Sequence, residues 1–148
     1  MKIDLSFREF YPHPIEKVWK AISNRDGLAF WLMENDFEPI VGKRFQFRYP
    51  AGPNGRGWID CEVLALEPPS RIAWSWQATE SDLAGRVEIQ LKTIEGGTEL
   101  TLAHTGDTDP DRRSRYASGW PGKFADLHKL FRIFFGHLTR SAAADSAA

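Results

Sequence analysis

The apolar residues of this chain change their spacing once, and that change limits the fold more than any single motif. From about Arg44 to Thr105 they alternate with polar residues, and from Trp120 to Leu138 they recur at steps of three and four. Strand side chains repeat every two residues and helix side chains about every 3.6. The spacing therefore predicts a run of strands followed by one long C-terminal helix. A curved antiparallel sheet closed by a single apolar helix leaves space between the two layers, so the pattern points to a ligand cavity.

The rest of the chain fits around this pattern. Ile3, Leu5 and Phe7 alternate with Asp4, Ser6 and Arg8, which predicts a first strand ended by Pro12-His13-Pro14. Pro14 suits a first helical position, where its missing N–H is no loss. Ile15, Val18, Trp19 and Ile22 then share one face of a short amphipathic helix. Asn24 to Gly27 reads as a turn, and Leu28 to Met33 as a second short helix.

Phe45, Phe47 and Tyr49 begin the alternating region. A loop from Pro50 to Gly57, rich in glycine and proline, separates them from a strand over Trp58–Leu66. Ile72, Trp74 and Trp76, then Val87, Ile89 and Leu91, continue the alternation. Glu95-Gly96-Gly97-Thr98 is a hairpin turn signal, followed by Leu100, Leu102 and His104 on one face. These are six strand-like segments in all.

In the last helix Trp120, Phe124, Leu127, Phe131, Phe134 and Leu138 form the apolar stripe. Gly119 and Pro121 predict that any helix starting near Asp111 is broken or kinked before it. The expected organisation is one domain over residues 1–140 and a flexible tail over 141–148, whose small residues have little to bury.

Composition narrows the function. The net charge is −1, which gives no general attraction to nucleic acid or to an anionic membrane surface. Arg112, Arg113 and Arg115 follow Asp107, Asp109 and Asp111 and read as a solvated, self-neutralising loop. Cys61 is the only cysteine, which favours a reducing compartment. No stretch of about 18 apolar residues is present, and residues 2–9 carry charges where a signal peptide would be apolar. The expected location is cytoplasmic.

Several motifs occur in a fixed order. Pro14-Ile15-Glu16-Lys17-Val18-Trp19 precedes Asn24-Arg25-Asp26-Gly27-Leu28 and Trp31. Val41-Gly42-Lys43-Arg44-Phe45 precedes a strand. Glu62 to Ile72, with its Pro68-Pro69 pair, runs on to Trp76. Thr98-Glu99-Leu100-Thr101-Leu102 leads to His104, and Gly119-Trp120 opens the last helix. Together, over residues 2–138, they resemble the START-like (SRPBCC, helix-grip) superfamily, and within it the branch called activator of heat-shock chaperone ATPase homologue-like. Lys43 stands where that family often has a second glycine. The resemblance implies an α+β fold: a curved antiparallel sheet wrapped around a long C-terminal helix, with two short helices after the first strand. It transfers fold better than activity. The eukaryotic co-chaperones of the branch bind the chaperone through a separate domain, and no segment here reads as that domain.

Strand periodicity then assigns faces. If Ile72, Trp74 and Trp76 point inward, so do Phe45, Phe47 and Tyr49. Taking Leu64 and Leu66 as inward places Trp58, Asp60 and Glu62 on the same face, unless a bulge inverts part of the strand. The candidate ligand-binding residues are Phe47, Tyr49, Trp58, Glu62, Trp74, Trp76, His104, Trp120 and Phe124. Inward aromatics serve equally as plain core, and His104 as a histidine bonded to backbone.

No metal spacing links His13, His104, His128 and His137. No phosphate loop, dinucleotide fingerprint or nucleophile elbow is present. The expectations are no metal, no cofactor and no assigned catalytic residue.

The leading reading is a binding domain for a small hydrophobic or aromatic molecule. An alternative of another class is an enzyme resembling polyketide cyclases or dehydratases, with Glu62 or Asp60 and His104 moving a proton. It requires the carboxylate and imidazole to converge on one open cavity. A third is a chaperone-associated or other protein-interaction module, with Ile133 and Phe135 off the main stripe and homodimerisation left open.

Overall fold

A computed structural model describes residues 1–135. The element order is β1 (Lys2–Tyr11), α1 (Ile15–Ile22), α2 (Arg25–Trp31), β2 (Glu34–Asn35), β3 (Arg44–Arg48), β4 (Trp58–Glu67), β5 (Arg71–Trp76), β6 (Gly85–Ile94), β7 (Gly97–Asp107) and α3 (Pro110–Leu130), followed by a π-helical turn over Phe131–Phe135. The strands form one antiparallel seven-stranded sheet in the order β1-β7-β6-β5-β4-β3-β2. Strands β2 to β7 are thus a simple meander, and β1 is added at the far edge beside β7. This is the expected helix-grip arrangement. It gains one short strand, β2, which two residues are too few to announce by periodicity.

The two short helices seal one end of the sheet. Pro14 stands at the N-cap of α1, one position before the expected place, with φ −59° and ψ 149°. Helix α2 starts three residues earlier than expected, at Arg25. The Asn24 side chain accepts from the amides of Asp26 and Gly27 there and ends the apparent turn in a cap. A Cβ at Gly27 would meet the Ala21 carbonyl oxygen at 2.5 Å, so a glycine is needed where α1 and α2 pack. Trp31 buries completely and donates its indole N–H to the Ala21 carbonyl at 3.0 Å.

Helix α3 departs most from expectation. It runs unbroken from Pro110 to Leu130 with Pro121 inside it. Proline removes one intrahelical hydrogen bond, but the first turns are strongly held. Asp109 caps the Arg112 amide, Pro110 occupies the first turn, and Arg115 pairs with Asp111 one turn away. Tyr116 extends the apolar stripe one turn back from Trp120, so packing carries the helix through the proline. Arg112, Arg113 and Arg115 accordingly stand on a helix, not in a loop.

The core lies between the concave face of the sheet and α3. Trp74 is fully buried at its centre, with the rings of Phe47 and Phe45 at 5.8 and 6.4 Å. The Tyr11 hydroxyl donates to the Phe124 carbonyl at 3.1 Å, tying the end of β1 to α3. Ile133 is exposed. The expectations placed on Leu138 and on residues 141–148 lie outside the described residues. No helix among the described residues is long and apolar enough to cross a membrane.

Strand β4 corrects the face assignment. Ile59, Cys61 and Val63 are buried, whereas Trp58 and Leu64 are each 37% exposed. The ladder to β5 pairs Val63 with Trp74 and Ala65 with Ala73, so the register shifts between them. This bulge lets Leu66 pack inward while the earlier half of the strand is inverted relative to it. Trp58, Asp60, Glu62 and Leu64 therefore face the convex side.

Candidate functional site

A cavity of about 460 Å3 opens between the sheet and α3. Three segments of chain build it. Strands β4 and β5 and the residues just after β5 supply Ile59, Trp76 and Ala78. Helix α3 supplies Tyr116, Gly119, Trp120 and Lys123, with Arg112 and Arg115 toward its N-terminal end. The β3–β4 loop folds over the opening with Tyr49, Pro53 and Asn54, and Leu32 and Met33 close the side next to α2.

The loop can lie this close because it is rich in glycine. Gly52 and Gly55 exchange backbone hydrogen bonds at 3.0 and 3.2 Å, and a Cβ at Gly55 would overlap the Tyr49 ring. Its tip is fastened to the helix. The Asn54 carbonyl accepts from Arg112 Nη2 at 2.9 Å and from Arg115 Nη2 at 3.3 Å.

Behind the lining lies a block of interlocked rings. Trp76 Nε1 donates to the Tyr116 hydroxyl at 3.2 Å, and Trp120 Nε1 donates to His104 Nδ1 at 3.1 Å. His104 sits 4.7 Å from the Tyr116 ring and 5.2 Å from that of Trp76. Because Nδ1 accepts, neutral His104 carries its proton on Nε2, and that atom has no hydrogen-bond partner among the described residues. Burial lowers the His104 pKa to about 4. A protonated ring would also set its Nδ1–H against the Trp120 N–H. Burial likewise raises the Tyr116 pKa, so its hydroxyl keeps its proton, accepts from Trp76 and is able to donate to a ligand.

Of the nine residues expected to meet a ligand, Tyr49, Trp76 and Trp120 line the cavity. Phe47, Trp74, His104 and Phe124 are buried behind it and hold its walls. Trp58 and Glu62 do not reach it. Trp58 lies under the Arg56 guanidinium, 4.5 Å away on the convex face, and Glu62 pairs with Arg44 at 3.7 Å. Asp60 is held on that face by Arg56 at 3.1 Å and Gln46 at 2.9 Å. The sheet separates both carboxylates from His104, so the convergence required of an acid–base pair is absent. Burial also raises the Cys61 thiol pKa, which keeps it from acting as a thiolate. No cluster of three or more histidine, cysteine or carboxylate side chains suited to a metal ion occurs among the described residues.

Sequence reading missed Tyr116, Arg112, Arg115, Lys123 and the Leu32–Met33 corner. The first had a signal, since Tyr116 precedes Trp120 by four residues and so continues the stripe.

Comparisons with known proteins agree with this architecture. Residues 12–132 match the family model described as activator of Hsp90 ATPase homolog 1-like protein. The crystal structure of protein MLL2253 from Mesorhizobium loti is similar, with 31% identity, a TM-score of 0.80, and coverage of 87% of this chain and 96% of that one. The solution structure of the Aha1 dimer from Colwellia psychrerythraea shares the fold, at 23% identity and a TM-score of 0.75 over 90% of this chain and 97% of that one. Two curated relatives, Kin of IRRE-like protein 3 of Mus musculus and of Homo sapiens, are each 30% identical over 81 residues, 53% of this chain. The chain spans only 10% of their length.

Proposed function

We propose a ligand-binding role from the premise that this chain belongs to the activator of Hsp90 ATPase homolog 1-like family. Its ligand is a small hydrophobic or aromatic molecule held between the sheet and α3, within a single binding domain over residues 1–140. The observation that carries this reading is the cavity of about 460 Å3, with the Tyr49, Trp76, Tyr116 and Trp120 rings on its walls. Small-molecule sites are commonly concave, apolar and roughly 300–1,000 Å3 in volume. A few polar groups among apolar walls give orientation, and here the Tyr116 hydroxyl supplies one.

Burying an apolar side chain or ring is worth roughly 1.5–3 kcal/mol. Three such ring contacts contribute roughly 4.5–9 kcal/mol before the costs of association, a range whose upper end is about the 8.2 kcal/mol of micromolar binding. The family's description names a chaperone ATPase activator, but no feature of this cavity requires that activity.

The test is a thermal-shift and native mass spectrometry screen of aromatic and polyketide-like compounds. A ligand at about 100 times its Kd should stabilise the protein by about 2.7 kcal/mol. Trp120→Ala should abolish the shift. A screen yielding neither a bound molecule nor a shift would overturn the reading.

A further inference from the structure

We propose that the ligand is an organic anion, with a flat apolar body against Trp76, Tyr116 and Trp120 and one carboxylate at the mouth, received by Arg112 and Arg115. The inference rests on reading the cavity as a ligand site and adds the ligand's charge. Among the described residues the charged side chains lining the cavity are Arg112, Arg115 and Lys123, and no carboxylate lines it. A chain whose net charge is −1 thus presents three basic side chains to this cavity.

The two arginines are already posed. Arg112 gives Nη1 to Asp109 at 3.2 Å, and Arg115 gives Nη1 to Asp111 at 2.5 Å. Both give Nη2 to the same oxygen, the Asn54 carbonyl at the loop tip. The aspartates lie outside the lining and fix each guanidinium by one nitrogen, while the other is turned to the loop over the cavity. Two guanidinium groups thus converge on a single oxygen atom at the rim. A carboxylate oxygen is a stronger acceptor for these donors than a peptide carbonyl. It can share the site with Asn54, because a guanidinium has more N–H groups than the two that each arginine uses.

The Arg112 side chain is only 12% exposed, so its charge is poorly screened by solvent. Lys123 stands eight residues beyond Arg115, about 12 Å further along the helix. Its ammonium donates to the Leu32 carbonyl at 2.9 Å and forms no ion pair among the described residues. It adds positive potential at the other end of the slot, from which a neutral ligand gains nothing.

The test compares 2-naphthoate with its neutral isostere 2-naphthamide by calorimetric titration at neutral pH, in low and high salt. Wild-type protein should bind the acid at least about tenfold more tightly in low salt, with a smaller margin in high salt. Arg115→Gln should remove the margin and leave the amide's affinity within about twofold, with folding checked by circular dichroism. Arg115 is preferred for substitution because its side chain is more exposed than that of Arg112. If Arg115→Gln fails to fold, the wild-type comparison decides alone. Amide binding equal to or tighter than acid binding in the wild type overturns the anion assignment and leaves the binding-domain reading intact. A margin that survives in both Arg115→Gln and Arg112→Gln overturns the assignment to these arginines. Binding of neither compound overturns the cavity reading and this inference together.

Discussion

Acid should destabilise this protein in part through His104. In the folded chain the ring is buried among Trp76, Tyr116 and Trp120, and its pKa is lowered to about 4. In the unfolded chain it returns to about 6.5. The unfolded state therefore takes up the proton first as pH falls. Stability from this group is fully present above pH 6.5, is lost between pH 6.5 and about 4, and levels off below that. Each pH unit in the window costs about 1.4 kcal/mol, and the whole window about 3 kcal/mol. That is a large share of the stability of an ordinary domain. Urea unfolding across the window, for wild type and for His104→Gln, isolates the effect. Gln retains an oxygen that can accept from Trp120 Nε1, and it does not titrate. Groups common to both proteins, including the carboxylates, cancel in the difference. The wild type should lose about 3 kcal/mol relative to the variant on going from neutral pH to pH 4. A difference that stays flat within about 0.5 kcal/mol, or that grows in favour of the wild type in acid, would refute the argument.

Two further substitutions test the sheet faces. Trp74→Ala removes the fully buried ring packed against Phe45 and Phe47 and should cost roughly 3–5 kcal/mol in urea unfolding, a loss under about 1 kcal/mol being incompatible with an inward Trp74. Glu62→Gln breaks only a solvent-exposed pair with Arg44, so stability should change by less than about 0.5 kcal/mol and titration of 2-naphthoate should be unchanged. A tenfold change in that affinity would place Glu62 at the ligand after all.

The layers, the element order apart from β2, and the burial of Trp74, Trp76 and His104 were legible because alternation and helical spacing are local properties of sequence. Strand β4 was not read correctly, and its error has one cause. The bulge between Val63 and Ala65 is defined by how β4 meets β5, which no single strand reports. A clue was nevertheless present: Asp60 and Glu62 alternate with Ile59, Cys61 and Val63, and paired acids on one face favour solvent. The early turns of α3 were obscured differently. Pro121 reads as a break by propensity, whereas the Asp109 cap and the packing of Tyr116 override it. Because those turns carry Arg112, Arg115 and Tyr116, misplacing the helix start also hid the mouth of the cavity. The convergence of two arginines on Asn54 joins segments more than fifty residues apart and leaves no trace in local spacing.

The pairing of β1 with β7 has a consequence for how the chain is made. Leu5 lies opposite His104 and Phe7 opposite Leu102, so the first strand meets its neighbour in the sheet, β7, nearly a hundred residues later. On a ribosome, synthesis runs at about 5–20 residues per second, so β1 waits several seconds unpaired while the meander β2–β7 is still being produced. Throughout that interval Ile3, Leu5 and Phe7 are an unprotected apolar edge. The nascent chain is then most open to off-pathway strand pairing, and chaperone capture would act on β1.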